Sequence, residues 1–139
     1  MDESGLAVIE RLRRATSDHD LEGIVACFSE EYSNEWPVHP ARAFVGREQV
    51  RMNWSRILSA VPDVIASVPH TAVSGDAIWS EWEMRGTRVD GAPHLLRGVL
   101  IFGVHDDLIS WGRFYLEPVD TNDDEDVNAS VGRHLGDPA

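Results

Sequence analysis

Apolar residues along this chain change their period once. Over the first sixty or so positions they recur every three or four residues. Leu6, Ile9 and Leu12, with Thr16, make one stripe, and Leu21, Ile24, Val25 and Phe28 make a second. After Gly46 a third follows in Val50, Trp54, Ile57, Leu58 and Val61. Each set falls on one side of a helix, so three helices are predicted. The "SDHD" segment supplies capping side chains ahead of the second, and Pro62–Asp63 stops the third. From residue 64 onward the pattern alternates, which predicts strands over 64–73, 77–88, 94–104 and 108–118. "SGD", "VDGAP" and "HDD" separate them as turns, so the four form an antiparallel meander. Pro69 marks the first strand as an edge or a bulge. Past residue 118, Val127, Val131 and Leu135 recur at spacing four and suggest a short helix that docks back.

Helices followed by a long meander predict an α+β domain, with the helices covering one face of a strongly curved antiparallel sheet. Backbone alone cannot fill such a concavity, so an apolar pocket is expected inside the cone. The domain spans 1–118, and 119–139 form an acidic link and C-terminal tail. At 139 residues and 42% hydrophobic content, the chain builds one core. Its net charge is −12, part of it concentrated in Asp120, Asp123, Asp124, Glu125 and Asp126. An acidic surface repels phosphate backbones, which excludes nucleic acid as a partner. Every basic residue is arginine, so lysine Schiff-base chemistry is absent. The single cysteine, Cys27, forbids an internal disulfide and a thiolate zinc site, and fits a buried helical position. The opening "MDESGLAVIERLRR" is acidic and lacks a long apolar run, so neither a signal segment nor a membrane span is expected, and the cytoplasm is the expected compartment.

Candidate chemistry concentrates in "YSNEWPVHP", residues 32–40. Tyr32, Asn34 and Trp36 alternate and share a face if this stretch is extended, with Ser33 and Glu35 opposite. His39, just ahead of Pro40, sits on a loop at the expected pocket mouth, where it is either a general base or a solvated residue. Five tryptophans are Trp36, Trp54, Trp79, Trp82 and Trp111. Each buries roughly 150–250 Å2, reason enough for a small domain to keep them as core. Trp36 and Trp82 are also placed to stack against a flat ligand, with Trp54 at the cavity edge. The histidines follow no metal-ligand spacing, and His105-Asp106-Asp107 reads as a solvated turn, so no metal is expected. His94 and Arg97 either bind an anion or lie in water at a strand end.

The order of "ACFSEEY", "GREQV", "VPD", "WSEWEMRGT", "RGVLIFGV" and "ISWGRFYLEP" resembles the nuclear transport factor 2-like superfamily, and most closely its SnoaL-like branch. The resemblance covers about residues 5–118. It implies a cone-shaped sheet around helices, but it is shared by polyketide cyclases, ketosteroid isomerase, epoxide hydrolases, dehydratases and members that only bind or dimerise. The spacing of Tyr32 and Asn34 is similar to the Tyr-x-Asn pair of limonene epoxide hydrolase. Where that enzyme carries arginine and two aspartates, this chain carries Glu81, Glu83 and Phe114, so its mechanism is not expected. Glu35 falls near the base position of ketosteroid isomerase, but the partner acid is replaced by Leu100.

Two faces of the strand over 77–88 compete for the pocket. Ile78, Ser80, Trp82 and Met84 lie on one, Trp79, Glu81, Glu83 and Arg85 on the other. Hydrophobicity turns the first inward; the hydrolase comparison turns the second. Two function classes follow. One is a cofactor-free isomerase or cyclase moving a proton on a small apolar or cyclic ligand, with Tyr32, Asn34, Glu35, His39 and Glu83 as catalytic candidates. The other is a ligand-binding or dimeric accessory protein without chemistry. In both, Trp36, Trp54, Trp82, Leu100 and Phe114 line the ligand site, and a homodimer through the open sheet face is expected.

Overall fold

A computed structural model describes residues 3–120 and 126–136. Two helices come first, α1 (Glu3–Ser17) and α2 (Leu21–Val25), followed by strand β1 (Phe28–Glu35). A single 3-10 turn (Pro40–Arg42) and the two-residue β2 (Phe44–Val45) lead into α3 (Arg47–Ala60). Then β3 (Ile65–Ser74), β4 (Ala77–Thr87), β5 (Pro93–His105) and β6 (Leu108–Pro118) follow in sequence, and α4 (Val127–His134) ends the described chain. The six strands form one curved, unclosed sheet in the order β2-β1-β6-β5-β4-β3. β3 to β6 are the predicted meander. β1 joins it by a parallel pairing with β6, Ser33 opposite Trp111 and Asn34 opposite Gly112.

The second helix is shorter than its apolar stripe. It carries Ile24 and Val25 into the core but ends at Val25. Phe28 opens β1 instead, because Ile109 N–H donates to the Cys27 carbonyl and draws the chain into the sheet. A strand pairing thus overrides a helical spacing that only one further residue supported. Asp20 caps the short helix, its side chain accepting from Gly23 N–H.

α1 and the sheet share one core. Val8, Ile9 and Leu12 of α1 meet Ile24, Phe28, Ile78, Phe102 and Ile109, all nearly excluded from solvent. Thr16 is fully buried and satisfies its hydroxyl by donating to the Leu12 carbonyl. β4 settles its two faces by partition. Ile78, Ser80, Trp82 and Met84 point inward and are buried, while Trp79, Glu81 and Arg85 are exposed. The inward indole is paired: Trp82 Nε1 donates to Ser80 Oγ at 2.8 Å, and Ser80 Oγ donates to the Leu100 carbonyl at 2.7 Å. Sharp curvature needs glycine at Gly98, opposite Trp82, where a Cβ would lie 1.9 Å from the Tyr115 carbonyl oxygen.

The predicted tail helix is α4, capped by Asp126, whose carboxylate accepts from Ala129 N–H. Val127, Val131 and Leu135 stay exposed. The acidic positions Asp123, Asp124 and Glu125 lie outside the described residues. Among the described residues, no helix is long and apolar enough to cross a membrane.

Candidate functional site

Between the concave sheet face and helices α1 and α3 lies a cavity of about 170 Å3. Leu12, Val50, Trp54 and Ile57 form the helical wall; Phe44, Trp82, Met84, Leu96, Leu100, Phe102, Phe114 and Leu116 form the sheet wall. The rings lock one another edge to face. Phe102 and Phe114 stand 5.7 Å apart and near perpendicular, and Trp36 meets Phe114 at 5.2 Å.

Polar atoms reach this space mainly from β1. Tyr32 and Asn34 alternate with outward Ser33 and Glu35, so both turn inward and are almost wholly buried. Asn34 Nδ2 donates to Tyr32 Oη at 2.7 Å. Asn34 Oδ1 is buried and has no hydrogen-bond partner among the described residues. Whichever way the amide is turned, one of its polar atoms is left without a partner. The phenol reaches this position because Gly112 has no side chain; a Cβ there would stand 2.3 Å from Tyr32 Oη. Burial pushes the Tyr32 phenol well above the usual tyrosine range, opposed only in part by the Asn34 hydrogen bond. It is a neutral hydroxyl at any physiological pH.

Seven of the ten candidate residues meet here: Tyr32, Asn34, Trp36, Trp54, Trp82, Leu100 and Phe114. Three do not line the cavity. Glu35 lies on the outer sheet face, where Oε1 accepts from Arg113 Nε at 3.3 Å. Glu83 is also outside, accepting from Arg97 at 2.8 Å and from Arg85 at 2.6 Å. Those two guanidiniums hold its carboxyl below the usual range, the reverse of what a proton-donating acid requires. His39 sits beside the mouth with Nε2 2.8 Å from Glu117 Oε2 and its ring 6.4 Å from Trp36.

Two polar residues join the site that sequence reasoning had not placed in it. Asn53 lies one position before Trp54 on α3 and accepts from Gln49 Nε2 at 2.9 Å. His94 heads β5, and the alternation His94, Leu96, Leu100, Phe102 puts it on the inner face. Burial, with the nearby Arg88 charge, holds the His94 imidazole below the usual histidine range. Tyr32 and His94 are the titratable residues among those that line the cavity, and no carboxylate is among them. Cys27 is fully buried, donates to the Gly23 carbonyl and has its thiol pushed up by burial, so it is not a nucleophile. Among the described residues, no cluster of His, Cys, Asp and Glu is arranged to hold a metal ion.

The cavity can therefore take an apolar body, donate from a neutral phenol, bond through an amide and accept a proton at an imidazole. Residues 9–111 match the family described as the SnoaL-like domain. No curated protein matches the chain. Its fold is similar to that of a putative isomerase from Bacillus subtilis, at 15% identity and a TM-score of 0.75, covering 84% of this chain and 90% of that one. An epoxide hydrolase of the limonene epoxide hydrolase-like type from Mycobacterium tuberculosis superposes at a TM-score of 0.71 and 15% identity, covering 83% and 84%. Another M. tuberculosis protein, in complex with estradiol-17β-hemisuccinate, gives 0.69 at 21% identity, covering 81% and 92%.

The depressed His94 basicity has a measurable sign. An imidazole whose folded-state pKa is lowered favours the folded state above its unfolded value of about 6.5, and that contribution is lost as pH falls through the folded value. Histidine NMR titration should place the His94 midpoint below 6.5. The drop in unfolding free energy between pH 7 and 5 should be smaller in His94→Leu than in the parent. A normal His94 midpoint would show that the imidazole is not desolvated.

Proposed function

The chain belongs to the SnoaL-like domain family, and on that premise we infer that it binds a small apolar or cyclic molecule on the concave face of its sheet. The observation that carries this reading is the partnerless polar atom of Asn34, buried beside the Tyr32 hydroxyl in an otherwise apolar cavity. An unpaired amide atom in such surroundings costs about 1–3 kcal/mol, a burden without purpose unless a guest supplies the bond. The guest is an alcohol, ketone or similar molecule that offers one polar group to Asn34 and Tyr32. Size narrows it further: an apolar cavity of roughly 150 Å3 accepts benzene, and this one measures about 170 Å3. A single ring therefore fits this form better than a steroid, although a steroid derivative is bound by a protein of the same fold.

A catalytic reading is supported by His94. A neutral imidazole is a proton acceptor at pH 7, and with Glu35 and Glu83 outside the cavity it replaces them as the base for an isomerase-type proton transfer. The neutral Tyr32 hydroxyl would then stabilise the developing oxyanion. A homodimer is proposed through the outer sheet face, where Trp79 is 48% and Tyr115 38% exposed.

Three outcomes are expected. Cyclohexanol and cyclohexanone should raise the melting temperature and shift tryptophan emission, and Asn34→Leu should weaken binding by about tenfold, the worth of one buried hydrogen bond, while remaining folded. Unchanged affinity in Asn34→Leu would remove the polar anchor. In D2O, the protein should accelerate exchange of the α-hydrogens of cyclohexanone, followed by NMR, and His94→Gln should abolish that acceleration; binding without exchange would leave a carrier. Sedimentation velocity should give a two-subunit mass, reduced to one subunit by Trp79→Glu.

A further inference from the structure

Next to the cavity lies a second, solvent-facing recess, which shares Trp36, Phe44 and Asn53 with it and adds Arg42, Ala43 and Gln49. The recess differs in chemistry from the chamber behind it. Arg42, on the 3-10 turn, lays its guanidinium 4.8 Å from the centre of the Trp36 ring. Beyond that ring contact, the Arg42 guanidinium makes no ion pair or hydrogen bond with any described residue, although the chain carries a net charge of −12. Glu117 pairs with His39, and Glu35 with Arg113. On the opposite side Gln49 spends one amide N–H on Asn53 Oδ1, which leaves the Asn53 amide N–H group without a partner among the described residues. An aromatic-backed guanidinium and a free amide donor thus face a recess with no carboxylate in its wall.

We propose that this recess is an anion subsite, and that the ligand is a small organic acid whose apolar ring enters the inner cavity while its carboxylate rests on Arg42 and Asn53. The inference rests on the cavity-binding reading above and specifies the ligand for that same site. The stack on Trp36 holds the planar guanidinium with its edge N–H groups free, the fork that a carboxylate accepts in bidentate fashion. A hydroxyl or carbonyl on the far side of the ring would meet Asn34 and Tyr32. The ligand class is then a hydroxy- or oxo-substituted aromatic or alicyclic carboxylic acid.

Paired probes test this. Para-hydroxyphenylacetate carries ring, hydroxyl and carboxylate, and its alcohol counterpart tyrosol differs in lacking the charge. By isothermal titration calorimetry at low salt, the acid should bind about tenfold more tightly than tyrosol, and 0.5 M NaCl should remove most of that advantage. Arg42→Gln, at an exposed position where folding is not at stake, should bring the acid down to the affinity of tyrosol and leave tyrosol unchanged. Equal affinities in the parent protein, or an acid affinity indifferent to Arg42→Gln, would overturn the anion subsite and leave the cavity reading standing. Failure of both probes to bind would overturn the cavity reading, and the subsite with it.

Discussion

One buried hydrogen bond organises this site: Asn34 Nδ2 to Tyr32 Oη, set inside walls of phenylalanine, leucine and tryptophan. Taking a phenol and an amide out of water is unfavourable, and one mutual bond satisfies only part of their capacity. The surrounding elements are arranged so that the pair fits at all. β1 must lie in the sheet with Tyr32 and Asn34 inward. β6 must present glycine where the hydroxyl lands, since any side chain at Gly112 would occupy that place. Phe28, perpendicular to Tyr32 at 4.7 Å, and Phe44 at 6.0 Å fix the ring that carries the hydroxyl. The parallel pairing of β1 with β6 is what brings these groups together.

Charge is sorted across the sheet with equal consistency. Outward residues form a lattice in which Glu83 answers Arg85 and Arg97, and Glu35 answers Arg113, which in turn lies over Trp111. These exposed pairs add little to stability. Their consequence is chemical: these carboxylates stay off the concave face, and the polar side chains that line the cavity are a phenol, two amides and an imidazole. At Leu100 and Phe114, where the family resemblance implies acids, the chain carries apolar side chains. Both residues are apolar lining here.

How far the sequence disclosed this depended on the range of the interactions. The meander was legible because alternation and turn residues are local, and β3 to β6 lie within a residue of the predicted spans. Hydrophobic parity also resolved β4: Trp82 and Ser80 go in because glutamates on that face would have to be buried. The resemblance, read position by position, pointed the other way there, since family register transfers less securely than burial. His94 was on an inward position by the same parity, and Asn53 by its helical spacing from Val50 and Ile57, but polar residues beside apolar stripes look like solvent-facing ones until an opposing wall is known. The truncation of α2, the existence of β2 and the contact of Tyr32 with Gly112 rest on partners distant in sequence, and no local pattern carries them.

The same parallel pairing bears on the order of assembly. Antiparallel β3 to β6 connect neighbours through tight turns and can zip as they form, whereas β1 gains its long partner only when β6 is in place, with Ser33 meeting Trp111 and Glu35 meeting Arg113. Pairings so far apart along the chain are slow because the entropy of closing the intervening loop must be overcome first. The polar wall of the cavity is therefore the last part to be built. A nascent chain that has not yet released β6 from the ribosome can form α1 to α3 and much of its meander, but lacks the strand that seats Tyr32 and Asn34.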